Sequence, residues 1–299
     1  MTKKLIHSSR IIINVVITMK VFVSVDLEGL PFIVTGEHLF VKGALYSEAR
    51  KIATEITAVA AECLHDNGFE EVIVADSHGP MVTLIPEELP EYTTLIRGFP
   101  RPLAMISEAK SCDAAVFLGY HAKAGTAHAT FDHTYSSSSI DEVRINGTPA
   151  SEFLLNAYAL GYYDIPVILV AGDEKLLEDD VEKFAPWIER VVFKRSLSRF
   201  SAVSPSMKKI KDDLKLGISN AIKKLENGEI TPLKLEDSVE FIVRFLGSEM
   251  ADVAELLPFV ERLDGKTIKY NADNIIEGYK IFELLVMAAP HLYPYTMLR

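Results

Sequence analysis

The pattern of apolar and polar positions predicts strands and helices that alternate along the first two thirds of the chain. Apolar, β-branched runs at 20–25, 71–75 and 114–118 are typical of buried strands. Between the first two runs, apolar positions recur at helical spacing over 45–67 and end at an Asn-Gly pair, a common helix terminator. This βαβ order predicts an α/β fold, a three-layer domain with a mostly parallel sheet.

The pattern changes after about residue 200, where a long charged helix begins. Strands are predicted further on at 238–245 and 266–270, with a last helix over 273–288. We therefore expect an α/β domain over 19–200 and a smaller α+β subdomain over 201–299. The second part would form a wall of the substrate site and serve assembly.

Residues 1–18 differ in character from the strand that follows them. The stretch from Met1 to Arg10 is basic, and 11–17 is a short apolar run. A membrane span needs about 20 apolar residues, and no small-residue cleavage site follows this run. We expect an N-terminal extension and a natural start at Met19. The alternative is an additional strand or arm.

Polar side chains that bind metals follow the first three long strands. Asp26 and Glu28 follow the first strand, His78 the second and His121 the third. Side chains two positions apart in extended chain point the same way, and open α/β sheets bind ligands at the carboxyl ends of their strands. Taken alone, Asp26 and Glu28 could be a strand-end acid and a solvated acid, and each histidine could be a hydrogen-bonded structural residue. Their recurrence favours a site for zinc, which binds these side chains.

A polar stretch over 122–141 interrupts the alternation. It carries His128 and His133 and a run of four serines at 136–139. A solvated loop would explain this composition, but a long irregular loop inside a compact domain is often functional. We expect such a loop to move over the metals.

The segments that flank this loop also carry structural predictions. A helix is predicted at about 102–110. After the loop, Asn146-Gly147 indicates a hairpin, and Thr148 with Pro149 predicts the start of a helix. Glu152 would lie in the first turn of that helix, where an acid ordinarily just complements the helix dipole.

Composition excludes several classes of partner. The net charge is −11 and there is no block rich in lysine or arginine, so we expect no nucleic-acid partner. No run is long enough for a membrane span, and we expect no membrane partner. The two cysteines have neither metal nor redox spacing, which fits a reducing, cytoplasmic location.

The ordered set of these motifs resembles the zinc-dependent D-aminopeptidases of peptidase family M55, the dipeptide-operon D-aminopeptidase type. The resemblance covers nearly the whole chain from Met19 onwards. The matching motifs are Ser24-Val25-Asp26-Leu27-Glu28-Gly29, Asp76-Ser77-His78, Leu118-Gly119-Tyr120-His121-Ala122, Glu152 with Asn156-Ala157-Tyr158, Gly161-Tyr162-Tyr163-Asp164-Ile165-Pro166-Val167 and Val170-Ala171-Gly172-Asp173.

The resemblance implies a binuclear site with two Zn²⁺ ions per subunit and a ring-like homo-oligomer. The metal ligands it implies are Asp26, Glu28, His78, His121 and Glu152, with Asp26 bridging the two ions. The catalytic histidine falls on His133. The stretch between His121 and His133 is one residue longer than the family pattern, and His128 is a competing candidate nearby.

Three functions follow, from different classes. The first is a metallo-aminopeptidase that removes the N-terminal residue of short peptides or amides containing D-amino acids. The second is a di-metal hydrolase of a phosphoester or N-acyl substrate, which should add Arg or Lys around the site; only Lys123 and Arg144 are near the motifs. The third is a non-enzymatic metal-binding scaffold, which predicts a closed ligand sphere and no solvent-facing histidine on 122–141.

Overall fold

The computed structural model describes residues 19–236 and 238–289, so residues 1–18 and the prediction made for them lie outside the described part. The strands are β1 Lys20–Val25, β2 Glu71–Asp76, β3 Thr93–Ile96, β4 Ala114–Tyr120, β5 Ile140–Ile145, β6 Thr148–Pro149, β7 Val167–Asp173, β8 Glu189–Ser198, β9 Ser201–Val203, β10 Val239–Phe245, β11 Glu261–Arg262 and β12 Thr267–Ala272. The helices are α1 Gly36–Leu39, α2 Tyr46–Asp66, α3 Glu152–Tyr162, α4 Glu174–Leu176, α5 Glu182–Phe184, α6 Met207–Glu226, α7 Ser248–Ala254 and α8 Ile275–Ala288, with a π-helical turn Leu177–Val181 between α4 and α5.

A seven-stranded sheet forms the middle layer, in the order β3-β2-β1-β4-β7-β8-β9. Its neighbouring strands run parallel except at the edge, where β9 is antiparallel to β8. Helices α2 and α6 cover one face, and α3 lies in the core on the other. The predicted α/β class with a mostly parallel sheet is confirmed. The strand order reverses around β1, with β2 on one side and β4 on the other, and such a switch point opens a ligand crevice.

A second, antiparallel sheet has the order β11-β12-β10-β5-β6. It shares a continuous core with α3, α8 and one face of the parallel sheet; Phe22 of β1 and Phe241 of β10 both belong to this core. The long loop between β4 and β5 therefore connects the two sheets.

The elements do not divide at residue 200. Strands β5 and β6 precede that position but pair in the antiparallel sheet, whereas α6 follows it and packs on the parallel sheet. The stripe of Ile210, Leu214 and Ile218 on α6 is fully buried against that sheet. Apolar periodicity predicts that a helix has a buried face, but it does not say which sheet that face covers.

Two local predictions were wrong. The segment predicted as a helix over 102–110 consists of two short 3₁₀ turns, separated by left-handed backbone at Glu108. Thr148 and Pro149 form β6 after the Asn-Gly hairpin turn, so α3 starts later, with Ser151 as the N-cap that accepts from Leu154 N at 3.2 Å. Glu152 lies in the first helical turn, as predicted.

Helices able to span a bilayer are missing from the described part of the chain, since none there is both long and apolar enough.

Candidate metal centre

The loop after β1 is held directly against the end of β4. Asp26 N donates to Leu118 O at 2.8 Å, and Gly29 N donates to Gly119 O at 2.7 Å. A Cβ on Gly29 would lie 1.9 Å from Tyr120 O, and one on Gly119 would lie 2.1 Å from Asp26 O. Only glycine allows this approach, and Gly119 also has a φ of +73°. The two glycines thereby bring the polar ends of both strands to one place.

Three predicted ligands meet on the β2 side of this place. His78 Nδ1 lies 2.9 Å from Glu28 Oε2 and 3.7 Å from Asp26 Oδ1. His78 Nε2 donates to the carbonyl of Leu39 at 2.8 Å. Because that bond fixes the proton on Nε2, Nδ1 is the nitrogen available to a metal.

Three predicted ligands also meet on the β4 side. His121 Nε2 lies 3.5 Å from Asp26 Oδ2 and 3.6 Å from Glu152 Oε2. His121 Nδ1 donates to Ala122 O at 3.0 Å, which leaves Nε2 free to bind. Asp26 thus directs one carboxylate oxygen towards each histidine, the arrangement that a bridging ligand requires.

His133 lies beside this second group. Its ring stacks on that of His121, with centroids 4.3 Å apart, and its Nε2 is 3.6 Å from Glu152 Oε1. Its Nδ1 donates to Phe131 O at 2.7 Å, so Nε2 carries the lone pair. His128, the competing candidate, is exposed and does not line the cavity that contains His133.

The loop that carries His133 is hydrogen-bonded to distant segments of the chain, and its movement over the metals stays a prediction. Thr130 Oγ1 donates to Asp173 Oδ2 at 2.9 Å, and Phe131 N donates to Arg199 O at 3.2 Å. Thr134 Oγ1 donates to the carbonyl of Ala150 at 3.1 Å. Thr130, Phe131 and Thr134 therefore anchor the loop to three distant segments, which the glycine and serine content of the loop gave no sign of.

The residues present fit a metal by two measures. Asp26 Oδ2 and His121 Nε2 are buried and have no hydrogen-bond partner in the described part of the chain. Buried polar atoms are costly to leave unpaired, and an ion between them would satisfy both. Ligand atoms on one tetrahedral zinc lie about 3.3 Å apart, since each is about 2.0–2.1 Å from the ion. The separations of 2.9–3.7 Å within the two groups bracket that value.

Burial and mutual charge shift the protonation of the whole cluster. Burial, with the charge of Glu28, raises the pKa of Asp26 to about 8. Burial would lower the pKa of His121, but the carboxylates of Glu152 and Asp26 outweigh it and raise the pKa to about 10. Metals bind the deprotonated forms of these groups, so we expect metal binding to release protons. The pKa of His133 moves the other way and is lowered by burial and by the charge of His121.

A cavity of about 670 Å³ opens from the cluster. Among the residues that the structure describes, no lysine or arginine lines it. Its apolar wall comes from several distant segments, which sequence reasoning missed because no local pattern marks them: Phe40, Met81, Phe99, Pro100, Met105, Val286 and Met287. The serines at 136–138 also line it, and the sequence had shown them only as a biased run.

Lys194 is a residue beside the site that sequence reasoning also missed. It is fully buried on β8, and its ammonium donates to the carbonyls of Glu28 and Ile33, the latter at 2.8 Å. Burial lowers its pKa to about 8. No local pattern marks Lys194, because its neighbours in the sequence are the buried Phe193 and the exposed Arg195, although a lysine is rarely buried without a partner.

Comparisons with known proteins identify the family of the chain. The family model of the M55 peptidases, described as D-aminopeptidase, matches residues 19–284. A D-aminopeptidase of Bacillus subtilis (strain 168) is 32% identical over 274 residues, which cover 90% of this chain and 96% of the relative. The solved structure of the Zn-dependent D-aminopeptidase DppA from Bacillus subtilis, a self-compartmentalizing protease, superposes with a TM-score of 0.86 at 29% identity, covering 91% of this chain and 98% of that one. The predictions of an α/β fold and of a peptidase are confirmed, and the chain belongs to the M55 family of D-aminopeptidases.

Proposed function

We propose that this protein is a zinc-dependent D-aminopeptidase with two Zn²⁺ ions per chain, which removes the N-terminal residue of short peptides or amides containing D-amino acids. One observation carries the proposal: the carboxylate of Asp26 lies between two separate ligand groups, with Oδ1 near His78 and Oδ2 near His121. The zinc dependence of the similar Bacillus subtilis enzyme supports the choice of metal.

Each group supplies three protein ligands. One ion would be held by Asp26, Glu28 and His78, and the other by Asp26, His121 and Glu152. Three protein ligands leave a position open on each ion, as catalytic sites require. Two ions so held would polarise the scissile carbonyl and make bound water acidic enough to attack at neutral pH.

His133 is the proposed acid–base group. Its lowered pKa favours the neutral ring, and the bond from Nδ1 to Phe131 O leaves the lone pair on Nε2. Nε2 faces the cavity next to Glu152, where it can accept a proton from the attacking water and return it to the leaving amine. Its distance from Glu152 also suits a metal ligand, and the two roles give different metal contents on mutation.

The cavity favours an amine substrate over a phosphoester. Glu283, a carboxyl group outside the proposed ligand set, lines it and can attract the ammonium group of a peptide N-terminus, and no described cation lines it to bind a phosphate. A non-enzymatic scaffold is also disfavoured. His133 keeps 16% of its side chain exposed and faces an open cavity, whereas a closed ligand sphere would bury it.

We also propose a ring-like homo-oligomer and a cytoplasmic location. The similar Bacillus subtilis enzyme is described as self-compartmentalizing, which supports assembly of this chain with copies of itself. The charge, cysteine content and lack of basic blocks support the location and the absence of a nucleic-acid partner.

A metal titration with two mirror-image substrates tests the proposal. Chelator-treated protein is reloaded with Zn²⁺ in steps, and hydrolysis of D-alanine and L-alanine p-nitroanilides is followed at each step. We expect activity to rise until two ions per chain are bound, with the D-substrate cleaved at least tenfold faster. A plateau at one ion would contradict the binuclear site, and equal rates would contradict the chirality.

A further inference from the structure

A continuous chain of buried polar side chains lies beneath the metal centre. Its members come from four elements, β1, β4, α3 and α8, and from two loop positions, one of them directly after β2. They are Ser24, Ser77, Tyr120, Tyr135, Asn156 and Tyr279. Ser24, Tyr120, Asn156 and Tyr279 are completely buried. None of them lies among the predicted ligands, so the proposed chemistry does not use them.

The first half of the chain joins the three strands that end in ligands. Tyr120 Oη donates to Ser24 Oγ at 2.8 Å, and Ser24 Oγ is 2.9 Å from Ser77 Oγ. Each of these residues directly precedes a ligand or lies two positions before one, namely Asp26, His78 and His121. The hydroxyl groups therefore link β1, β2 and β4 at the level where their ligands emerge.

The second half joins the helices and the loop through Asn156. The Asn156 side-chain amide donates to Tyr120 Oη at 3.1 Å. Its carbonyl oxygen accepts from Tyr135 Oη at 2.9 Å and from Tyr279 Oη at 2.8 Å. Tyr135 and Tyr279 also contact each other through their hydroxyl groups. Asn156 thus connects α3, β4, α8 and the loop that carries His133.

Two residues of this second half, Asn156 and Tyr135, lie close to residues of the candidate site. Asn156 lies one helical turn after Glu152. Tyr135 lies two positions after His133, and its backbone N–H donates to Glu152 Oε1 at 2.7 Å. The donor that orients the Glu152 carboxylate is therefore the backbone N–H of Tyr135, and a shift of the Tyr135 side chain would move that N–H as well. Partners of this kind, one step removed from a metal, orient its ligands and set affinity.

We propose that Asn156 is a positioning residue, and that its hydrogen bonds with Tyr120, Tyr135 and Tyr279 fix the spacing between the two halves of the metal site. This inference rests on the proposed binuclear function. It predicts that breaking the chain lowers metal affinity in a protein that is still folded, because the ligands remain present but are less well aligned.

The experiment compares zinc affinity in three full-length variants. Asn156→Leu removes the connecting amide at similar volume, and Tyr279→Phe removes one hydroxyl and keeps the ring. Tyr270→Phe is the matched control. Tyr270 is also buried, but its hydroxyl donates to Gly278 O at 2.9 Å and takes no part in the hydrogen bonds around Asn156. Zinc affinity is measured by competition with a chelator, well below each melting temperature. The absorption spectrum of the Co²⁺-loaded protein reports ligand geometry.

We expect Asn156→Leu and Tyr279→Phe to weaken zinc binding by about 10–100-fold and to change the Co²⁺ spectrum, as for other residues that orient metal ligands. Tyr270→Phe should lower the melting temperature and leave both readouts unchanged. If Tyr279→Phe matches Tyr270→Phe in zinc affinity and Co²⁺ spectrum, these hydrogen bonds only stabilise the fold and the inference is wrong. Tyr279→Phe decides the question even if Asn156→Leu does not fold. A wild-type protein that binds no zinc would instead overturn the proposed function itself, and this inference with it.

Discussion

The two sides of the candidate metal centre are built in different ways. On one side, Asp26, Glu28, His78 and His121 extend from the ends of three parallel strands, and the strand pairing itself places them. On the other side, Glu152 and His133 come from a helix start and an irregular loop, which connect the two sheets and depend on distant hydrogen bonds. The strand side holds its ligands on rigid elements, whereas the loop side needs the rest of the molecule to hold it in place.

The strongest test removes Asp26, the strand-side residue that is common to both ligand groups. Asp26→Ala should lose both metals and all measurable activity, because its carboxylate faces both histidines. Metal content by mass spectrometry checks this. Asp76→Asn is the control, since Asp76 is a buried carboxyl group at the same edge that accepts from Leu84 N at 2.7 Å. A D26A protein that keeps two ions per chain would remove Asp26 from the bridging position.

Removing a ligand that belongs to only one of the two groups should remove one ion and leave the other bound. His78→Ala on the strand side and Glu152→Ala on the loop side should each retain about one ion per chain, since each residue belongs to one group only. The double variant should retain none. Loss of both ions from either single variant would show that the groups form one cooperative site rather than two.

His133 gives a smaller expected effect because metal binding should survive its loss. His133→Ala should lower kcat by about 10²–10⁴-fold, the range for losing an acid–base group, with metal content near normal. His128→Ala is the control on the same loop and should have little effect, because His128 is exposed away from the cavity. Metal loss in His133→Ala would instead make His133 a ligand.

The smallest expected effect comes from the outer support of the loop. The Arg199 guanidinium donates to Asp132 O at 2.9 Å next to His133, but its side chain is 44% exposed. Ion pairs this exposed contribute little, so Arg199→Ala should reduce kcat by only about 1.5–5-fold. Steady-state kinetics at two salt concentrations checks this. A loss as large as that of His133→Ala would mean that the loop depends on this single contact.

The same difference explains what could be predicted from sequence. The strand-end ligands are marked locally, because an apolar run is followed at once by Asp26, His78 or His121. Glu152 and His133 look like a helix-dipole acid and a loop histidine, and only the resemblance to a family singled them out. The loop anchors, Lys194 and the apolar cavity wall depend on contacts between segments far apart in sequence, which no local pattern records. The pairing of β5 and β6 in the antiparallel sheet, and the packing of α6 on the parallel sheet, were missed for the same reason.

The contact between Tyr135 and Tyr279 spans 144 positions of the chain. All five predicted ligands have been synthesised by residue 152, but the loop with His133 gains its contact with Tyr279 only when α8 docks. Contacts of such long range form more slowly than local ones, because the entropy of loop closure must be overcome before they stabilise the fold. We therefore expect a chain still on the ribosome to have no competent active site. Formation of the active site therefore follows the synthesis and docking of α8.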